Sequence, residues 1–179
     1  KEMGFNMIRK HVKVEPARWY WHCDRLGMLV WQDMPNTFDN AKTQWNYHNF
    51  DAVTEDALTC EEGKENFRRE WAEVIKANRV FPCIVVWVPF NEGWGQFDSY
   101  EISKLIKRFD ETRIIDSVSG WHDQGVGKTE LKSLHTYYTK LKVPKDPRPV
   151  VLSEFGGYSM KTEGHVFDED KEFGYKKFK

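Results

Sequence analysis

The sequence predicts an α/β protein whose strands form a parallel sheet. Apolar segments of strand length alternate with amphipathic segments: six strands are predicted, with three helices among them. The most apolar segment, residues 83–88, is nearly unbroken and rich in β-branched residues, which is typical of a strand buried on both faces. Two of the strands also end in a glutamate followed by glycines, and parallel strands bind ligands at their carboxyl ends.

The first βα unit lies at the start of the chain. Residues 5–12 predict a strand that carries Arg9 and His11 towards its end. Pro16 fits the first turn of a helix whose apolar side chains recur on one face, and Gly27 is placed to end that helix.

The second strand, residues 28–31, leads through Asp33 into a long connection. No sustained periodicity appears from residue 36 to about residue 65. This connection either shapes the substrate site, with Trp45 available to stack on a sugar, or is a surface excursion that covers its own small apolar cluster. The sequence leaves both interpretations open.

The rest of the chain supplies two helices and four strands. Helices are predicted over residues 65–78 and 98–113, and Asp98 or Ser99 can cap the second. The strands are predicted at residues 83–88, 113–119, 134–138 and 149–153. Beyond Gly157 the charged tail predicts a ragged helix or a disordered end.

Two predicted strands lead into glutamates, Glu92 and Glu154, which are 62 residues apart in sequence. Asn91 and Glu92 come directly after the most apolar strand, and Glu154 ends the last one. A single glutamate of this kind is usually a solvated loop residue, but the carboxyl ends of parallel strands lie at one edge of a sheet, so both side chains are expected in one site. Paired carboxylates suit hydrolysis of a glycosidic bond, where one protonates the leaving oxygen and the other attacks or activates water.

Aromatic and histidine side chains near these carboxylates are candidates for sugar binding. Trp94 and Trp121 fall in predicted loops, where an indole face can stack on a sugar ring. His122 and His135 lie near predicted strand ends and can hydrogen-bond sugar hydroxyls.

Composition argues against several other classes of function. A net charge of -1 provides no field for nucleic acid or anionic membrane, and no apolar run has the length of a membrane span. The three cysteines are too few and too scattered for a disulfide framework, and the six histidines show no zinc-motif spacing. No metal or organic cofactor is therefore expected.

Four segments, taken in order, resemble a known catalytic domain. They read GFNMIRKH, YWHCDRLGMLVWQDMPN, VVWVPFNEGWGQ and VVLSEFGG, and they resemble family 2 of the glycoside hydrolases, which includes β-galactosidases, β-glucuronidases and β-mannosidases. The resemblance covers nearly the whole chain. It implies that residues 1–179 form part of a (β/α)8 TIM barrel, with six of its eight strands, the second to the seventh.

The resemblance also implies residue roles in a retaining mechanism. Glu92 matches the acid/base, with Asn91 beside it, and Glu154 matches the nucleophile, which Arg9 would help to keep ionised. As the acid, Glu92 is expected to have a pKa raised by burial and by the charge of its partner. Either Tyr137 or Tyr138 would lie near the nucleophile, and spacing does not choose between them.

Two positions depart from the galactosidase pattern. His11 comes two residues after Arg9 rather than three, and Gly157 stands where galactosidases carry a histidine. The expected function is a retaining β-glycosidase of the β-galactosidase type. The alternatives are β-glucuronidase or β-mannosidase specificity, or a non-catalytic carbohydrate-binding fragment. The expected partners are a carbohydrate substrate and further domains of a longer polypeptide, and association with identical subunits is left open.

Overall fold

The structure is a computed structural model that describes residues 1–35, 60–124, 128–168, 171 and 174–178. Its elements, in chain order, are β1 (Met7–Lys10), α1 (Ala17–Leu26), β2 (Leu29–Asp33), α2 (Glu61–Asn78), β3 (Ile84–Val88), α3 (Ser99–Phe109), β4 (Ile114–Ile115), β5 (Lys132–Tyr137), β6 (Val150–Gly156), β7 (Tyr158–Ser159) and β8 (Lys176–Lys177). Most of the connection from residue 36 to residue 65, including Trp45, lies outside the described residues.

The strands form parallel ladders, as the alternation of strands and helices predicts. One sheet has the order β1-β2-β3-β4, and β5 pairs with β6 in a second ladder. Side chains join the two ladders: Ser133 Oγ donates to Asp116 Oδ2 at 2.9 Å, and the backbone N–H of Ile115 donates to Glu130 Oε2 at 2.8 Å. The six principal strands of the described residues thus follow one another in chain order.

Both faces of the sheet are buried. On the outer face, Trp71 of α2 meets Trp87 of β3 edge to face with ring centroids 5.6 Å apart, and Ile106 of α3 belongs to the same core cluster. On the inner face, Trp31, Val86 and Val88 form a smaller cluster. Alternate residues of β3 therefore pack on opposite faces, which explains why its sequence is almost continuously apolar.

Helix ends follow the sequence signals in part. Gly27 ends α1 in the left-handed region, with φ 60°, as predicted. Asp98 is the N-cap residue of α3, but its side chain makes no cap hydrogen bond. The Oε1 of Gln124 instead accepts from the Ser99 N–H at 3.0 Å, so the predicted local cap is replaced by a side chain distant in sequence.

The connection from β4 to β5 contains no helix in its described part, residues 116–124 and 128–131, in agreement with the sequence. Arg148 anchors it instead. Its guanidinium donates to both oxygens of Asp123, at 3.0 and 2.6 Å, and to Thr129 at 2.6 Å. This anchor holds the connection that carries Trp121.

Two predictions for the C-terminal half were wrong. The strand predicted over residues 113–119 is reduced to β4, followed by an isolated parallel bridge between Asn91 and Ser119. The tail was expected to be a ragged helix or disordered, whereas its described residues include β7 and β8, paired in parallel. No helix of the described residues has the length and apolar character needed to cross a membrane.

Candidate active site

The carboxylate of Glu92 is placed by a turn at the carboxyl end of β3. Glu92 has φ 50°, an uncommon conformation for a residue with a side chain, and its N–H donates to the Ser119 carbonyl at 2.9 Å. Gly93 follows with φ 78°, and a Cβ there would lie 2.6 Å from the His122 ring. The glycine after Glu92 therefore permits both the turn and the close packing beneath it.

Glu92 and Glu154 meet in one site, as predicted. Their nearest ligand oxygens and a ring nitrogen of His135 all lie within 4.8 Å of one another. The hydroxyl of Tyr137 lies between the carboxylates, 2.9 Å from Glu92 Oε1 and 2.5 Å from Glu154 Oε2. Burial, reinforced by the hydrogen bond to Glu154, raises the pKa of Tyr137, so this hydroxyl keeps its proton and can donate to one carboxylate at a time.

Arg9 lies on the Glu154 side of the site. Its Nη1 donates to Glu154 Oε1 at 2.7 Å, and its Nη2 donates to Asn91 Oδ1 at 2.9 Å. One guanidinium thus contacts residues at the ends of β3 and β6, and it brings a positive charge to the carboxylate of Glu154.

Asp33 is a site residue to which sequence reasoning gave no role. It is 1% exposed and holds Arg9 through two contacts, Nε to Oδ1 at 3.1 Å and Nη2 to Oδ2 at 2.9 Å. The available signal was its position as a carboxylate at the end of β2, the same kind of position that singled out Glu92 and Glu154.

His135 lies on the Glu92 side, and its side chain is fully buried. Its Nδ1 is 2.8 Å from Glu92 Oε1, and its Nε2 is 3.0 Å from Ser119 Oγ. Gly120, with φ 92°, permits this position because a Cβ there would lie 2.6 Å from His135 Nδ1. Both ring nitrogens are thus engaged by protein groups.

Of the aromatic candidates, Trp121 packs against site residues, and the surroundings of Trp94 and Tyr138 differ from it. Trp121 stands edge to face with His135 and Tyr137, with ring centroids 5.9 and 6.2 Å apart. Trp94 is half-buried, and its backbone N–H donates to the backbone carbonyl of Asn91 at 3.0 Å. Tyr138 is 46% exposed and is placed beside the ring of Tyr175, 6.3 Å away between centroids.

The structure therefore distinguishes the two neighbouring tyrosines. Tyr137 contacts both carboxylates, whereas the ring of Tyr138, the residue after β5, is half exposed. Tyr175, which the sequence did not single out, packs against Tyr137 at 4.7 Å between ring centroids. It comes from the charged tail, where neither a strand nor a motif indicated a place beside the site.

His11 lies at the rim of the site, half exposed. Its Nδ1 is 3.3 Å from Asp33 Oδ2 and 3.7 Å from Glu154 Oε1. The hydrogen bond to Asp33 raises the pKa of His11. The unusual spacing after Arg9 thus still brings this imidazole to the carboxylates.

The expectation of a raised pKa for Glu92 was wrong. Burial does act to raise it and is the largest single contribution, but the hydrogen bonds of His135 and Tyr137, together with the charges of His135 and His11, act in the opposite direction, and the pKa of Glu92 is lowered. The sequence could not show this because it did not place two hydrogen-bonding side chains on the same carboxylate oxygen.

Glu92, His135 and Glu154 are close enough to act as ligands of a metal ion. The Arg9 guanidinium lies 2.7 Å from Glu154, and its positive charge disfavours the binding of a metal cation between these side chains. The donor set thus fits a carboxylate pair tuned by neighbouring side chains better than it fits a metal centre.

Comparison with known proteins agrees with this fold. The sequence model of a family described as "Glycosyl hydrolases family 2, TIM barrel domain" matches residues 1–174, and the chain belongs to this family. The six principal strands are accordingly part of a (β/α)8 barrel, as the sequence resemblance implied.

Individual relatives are distant in sequence. The chain is 23% identical over 195 residues to a β-galactosidase of Thermoanaerobacter pseudethanolicus and 24% identical over 204 residues to a putative β-glucuronidase of Formosa agariphila. The first alignment covers 97% of this chain and 23% of the relative, and the second covers 96% and 22%. The chain therefore spans about a quarter of the length of these relatives.

Solved structures show the same fold. A β-D-glucuronidase of Dictyoglomus thermophilum matches with a TM-score of 0.62 at 15% identity, over 96% of this chain and 33% of that one. A β-glucuronidase of Parabacteroides merdae matches with a TM-score of 0.57 at 20% identity, over 76% and 16%. At these levels of identity the matches show a shared fold.

Proposed function

We propose that this chain carries the catalytic site of a retaining β-glycosidase, in which Glu154 is the nucleophile and Glu92 the acid/base. The observation that carries the proposal is the Tyr137 hydroxyl between the two carboxylates, within hydrogen-bond distance of both. Carboxyl groups about 5–5.5 Å apart serve retention, whereas inversion needs roughly 6.5–9.5 Å to admit a water molecule. Oxygens within 4.8 Å of one another support the retaining geometry.

The reaction proceeds in two displacements. Glu154 attacks the anomeric carbon while Glu92 gives its proton to the departing glycosidic oxygen, which leaves a glycosyl ester on Glu154. Glu92, now ionised, then removes a proton from water as that water attacks the same carbon and releases Glu154. Two displacements at one carbon retain its configuration.

The hydrogen-bond partners support this division of roles. Glu154 accepts hydrogen bonds from the Arg9 guanidinium and, in the shorter of its two contacts, from Tyr137, so two donors are directed at the carboxylate that is proposed to attack. Glu92 instead contacts the Tyr137 hydroxyl and the His135 imidazole, whose nitrogen can either donate or accept a hydrogen bond. The acid/base must lose a proton and regain one in each turnover. A neighbour such as His135, which can donate or accept a hydrogen bond, suits both protonation states of Glu92.

The substrate is proposed to be a terminal β-linked sugar. A galactoside is the first candidate, supported by the β-galactosidase relative that aligns with 97% of this chain. A glucuronide is the second, supported by the putative β-glucuronidase that aligns with 96% of it. The indole of Trp121, next to Tyr137, is proposed as a stacking surface for the sugar, with Trp94 and Asn91 contributing to binding.

The activity is proposed for the polypeptide to which this chain belongs, with further segments completing the barrel. Without them the chain could act only as a carbohydrate-binding fragment. Kinetic assays on 4-nitrophenyl β-galactoside, β-glucuronide and β-mannoside, with this chain alone and with the full-length polypeptide, separate these alternatives. Hydrolysis by neither protein would contradict the proposal.

The roles of the two carboxylates are tested by substitution. Glu154→Gln should abolish turnover of every substrate. Glu92→Ala should slow alkyl glycosides by about 10²–10⁴-fold while sparing activated aryl glycosides, whose leaving groups need little protonation. Equal losses on both substrate types would overturn the acid role.

Two further measurements test the mechanism. Proton NMR of the first product should show the β anomer. Treatment with EDTA should leave the rate unchanged, because acid, base and nucleophile are all carboxyl groups.

A further inference from the structure

A continuous series of hydrogen-bonding side chains leads from Glu92 into the interior of the barrel. Beyond His135 its contacts are His135 Nε2 to Ser119 Oγ at 3.0 Å, Ser119 Oγ to Ser153 Oγ at 3.1 Å, Ser153 Oγ to Ser133 Oγ at 2.5 Å, and Ser133 Oγ to Asp116 Oδ2 at 2.9 Å. Ser119, Ser133 and Asp116 are all buried. We call Ser119, Ser153 and Ser133 the serine chain.

The serine chain has a direction. Ser133 donates to the carboxylate of Asp116, so its oxygen is left to accept from Ser153. Ser153 also approaches the Leu134 carbonyl, but at 3.3 Å this contact is much longer than the one with Ser133. Ser119 in turn donates to Ser153. A hydroxyl has one hydrogen, so Ser119 Oγ must accept from the Nε2–H of His135.

This direction determines what His135 presents to Glu92. A neutral imidazole has one N–H, and a hydrogen on Nε2 leaves Nδ1 as a bare acceptor. The 2.8 Å contact of Nδ1 with Glu92 Oε1 is then a hydrogen bond only when Glu92 carries the proton. His135 lowers the pKa of Glu92 only in the opposite tautomer, in which Nδ1 donates.

We propose that Asp116 is a positioning residue that acts through the serine chain to favour the Nε2–H tautomer of His135, so that Nδ1 accepts a hydrogen bond from protonated Glu92 and does not donate one to ionised Glu92. This inference rests on the proposed role of Glu92 as the acid. It also serves the second displacement, because a bare Nδ1 beside ionised Glu92 disfavours the charge and makes Glu92 a stronger base towards water.

The surroundings of Asp116 suit a group that anchors the far end of such a chain. The carboxyl group is fully buried, and its Oδ1 has no hydrogen-bond partner among the described residues. The charged or titratable groups that act on it are Arg9 on β1, Asp33 on β2 and His135 on β5. Burial raises the pKa of Asp116 to about 6, so the group is largely an ionised acceptor at neutral pH.

The first experiment measures the tautomer of His135 directly. Nitrogen-15 NMR of histidine-labelled full-length polypeptide distinguishes Nε2–H, Nδ1–H and doubly protonated imidazole, and the His135→Gln variant assigns the signal. At neutral pH the wild type should show the Nε2–H form, and Asp116→Asn should shift the population towards Nδ1–H. A doubly protonated or Nδ1–H imidazole in the wild type would overturn the proposal.

A double-mutant cycle tests whether the effect travels through the serine chain. Asp116→Asn is made both in the wild type and in Ser133→Ala, which cuts the chain next to Asp116. The tautomer should respond to Asp116→Asn in the first background and not in the second. An equal response in both would show a direct effect of charge, and no response in either would show that Asp116 has no such role; either result overturns the proposal.

Kinetics supply the second measurement. The alkaline limb of the kcat/KM profile reports loss of the proton from the acid in the free enzyme. We expect Asp116→Asn and Ser133→Ala each to move this limb to lower pH by about one unit, and the double variant to move it no further. Ser117→Ala is the matched control, since Ser117 is a buried neighbour of Asp116 whose hydroxyl contacts Ser103, 2.6 Å away, instead of the chain.

The two measurements separate this inference from the proposed function. If the full-length polypeptide hydrolyses no glycoside, or Glu92→Ala leaves the rate unchanged, the proposed function fails, and NMR still decides whether Asp116 controls the tautomer. If hydrolysis depends on Glu92 while neither the tautomer nor the alkaline limb responds to Asp116→Asn, only the inference about Asp116 is wrong.

Discussion

Arg9 and Asp33 form a two-point ion pair inside the barrel, with Nε–Oδ1 and Nη2–Oδ2 distances of 3.1 and 2.9 Å. The pair fixes the plane of the guanidinium, because both of its contacts lie on one edge of the fork. The remaining nitrogen, Nη1, is then directed at Glu154. The geometry of Glu154, the proposed nucleophile, is therefore set partly by a residue that does not touch it.

Replacing Asp33 by Asn should impair catalysis without removing any carboxylate that takes part in the reaction. One charge of a buried pair would be lost, a change that costs about 3 kcal/mol or more, and Arg9 would be free to rotate away from Glu154. We expect kcat/KM to fall by about 100-fold or more. Steady-state kinetics of Asp33→Asn measure this directly.

Glu15→Gln is the control for Asp33. Glu15 pairs with Lys10, the residue next to Arg9 on the strand, and that pair is not part of the carboxylate site. Its loss should change kcat/KM by no more than about two-fold, since such pairs contribute little. Comparable losses in the two variants would show that the effect of Asp33 is general destabilisation of β1.

Tyr137 and Tyr138 should differ sharply when each loses its hydroxyl. Tyr137→Phe removes the hydrogen bonds to both carboxylates and should lower kcat by about 10- to 100-fold, the effect of losing one or two charge-assisted hydrogen bonds. Tyr138→Phe removes a hydroxyl from a half-exposed ring beside Tyr175 and should have a much smaller effect. Equal kcat values for the two variants would contradict the site as described.

The sequence was most informative where a local pattern determines structure. The apolar run of β3 predicted a strand buried on both faces, and the glutamate after β3 together with the one in β6 predicted one site. Both follow from side-chain alternation and from the common edge of parallel strands, which are properties of short segments.

The sequence was least informative where the site depends on contacts between distant residues. Asp33 holds Arg9 from 24 residues away, and Tyr137 could not be distinguished from its neighbour until the direction of each side chain on β5 was known. Tyr175 reaches the site from a tail whose charged composition predicted no packing. The pKa of Glu92 was wrongly predicted for the same reason, since its two hydrogen-bond partners come from another strand.

Gly120→Ala should displace His135 from Glu92. An added Cβ would lie 2.6 Å from Nδ1 of a buried ring that has no room to move, and the positive φ of 92° adds backbone strain. We expect kcat to fall at least about 10-fold on substrates that need an acid and much less on activated aryl glycosides. Kinetics on the two substrate types provide the measurement.

Gly4→Ala is the matched control for Gly120. Gly4 has a similar φ of 84°, but no atom lies within 4 Å of the position of an added Cβ. The two variants therefore share the backbone strain and differ in the clash. If Gly4→Ala shows the same dependence on leaving group as Gly120→Ala, the contact with His135 is not the cause.

Asp116 should reduce the stability of the folded protein above about pH 6, and the direction of this effect follows from its pKa. Burial raises the pKa from 3.8 to about 6 in the folded state, so between these values the folded protein binds more protons than the unfolded chain. The free energy of unfolding therefore falls as the pH rises through this interval, and the full difference between the two pKa values corresponds to about 3 kcal/mol. Asp116→Asn, which does not ionise, should be spared this loss.

Urea unfolding at about pH 4 and pH 7.5 tests the prediction. The free energy of unfolding of Asp116→Asn relative to the wild type should be higher at the upper pH by about 2–3 kcal/mol, while Ser117→Ala should differ from the wild type by the same amount at both. A relative stability of Asp116→Asn that does not change with pH would mean that the pKa of Asp116 is the same in the folded and the unfolded protein, so that burial does not raise it. If the prediction holds, a carboxylate that weakens the fold near neutral pH is retained at the far end of the serine chain, where its charge orients His135 for catalysis.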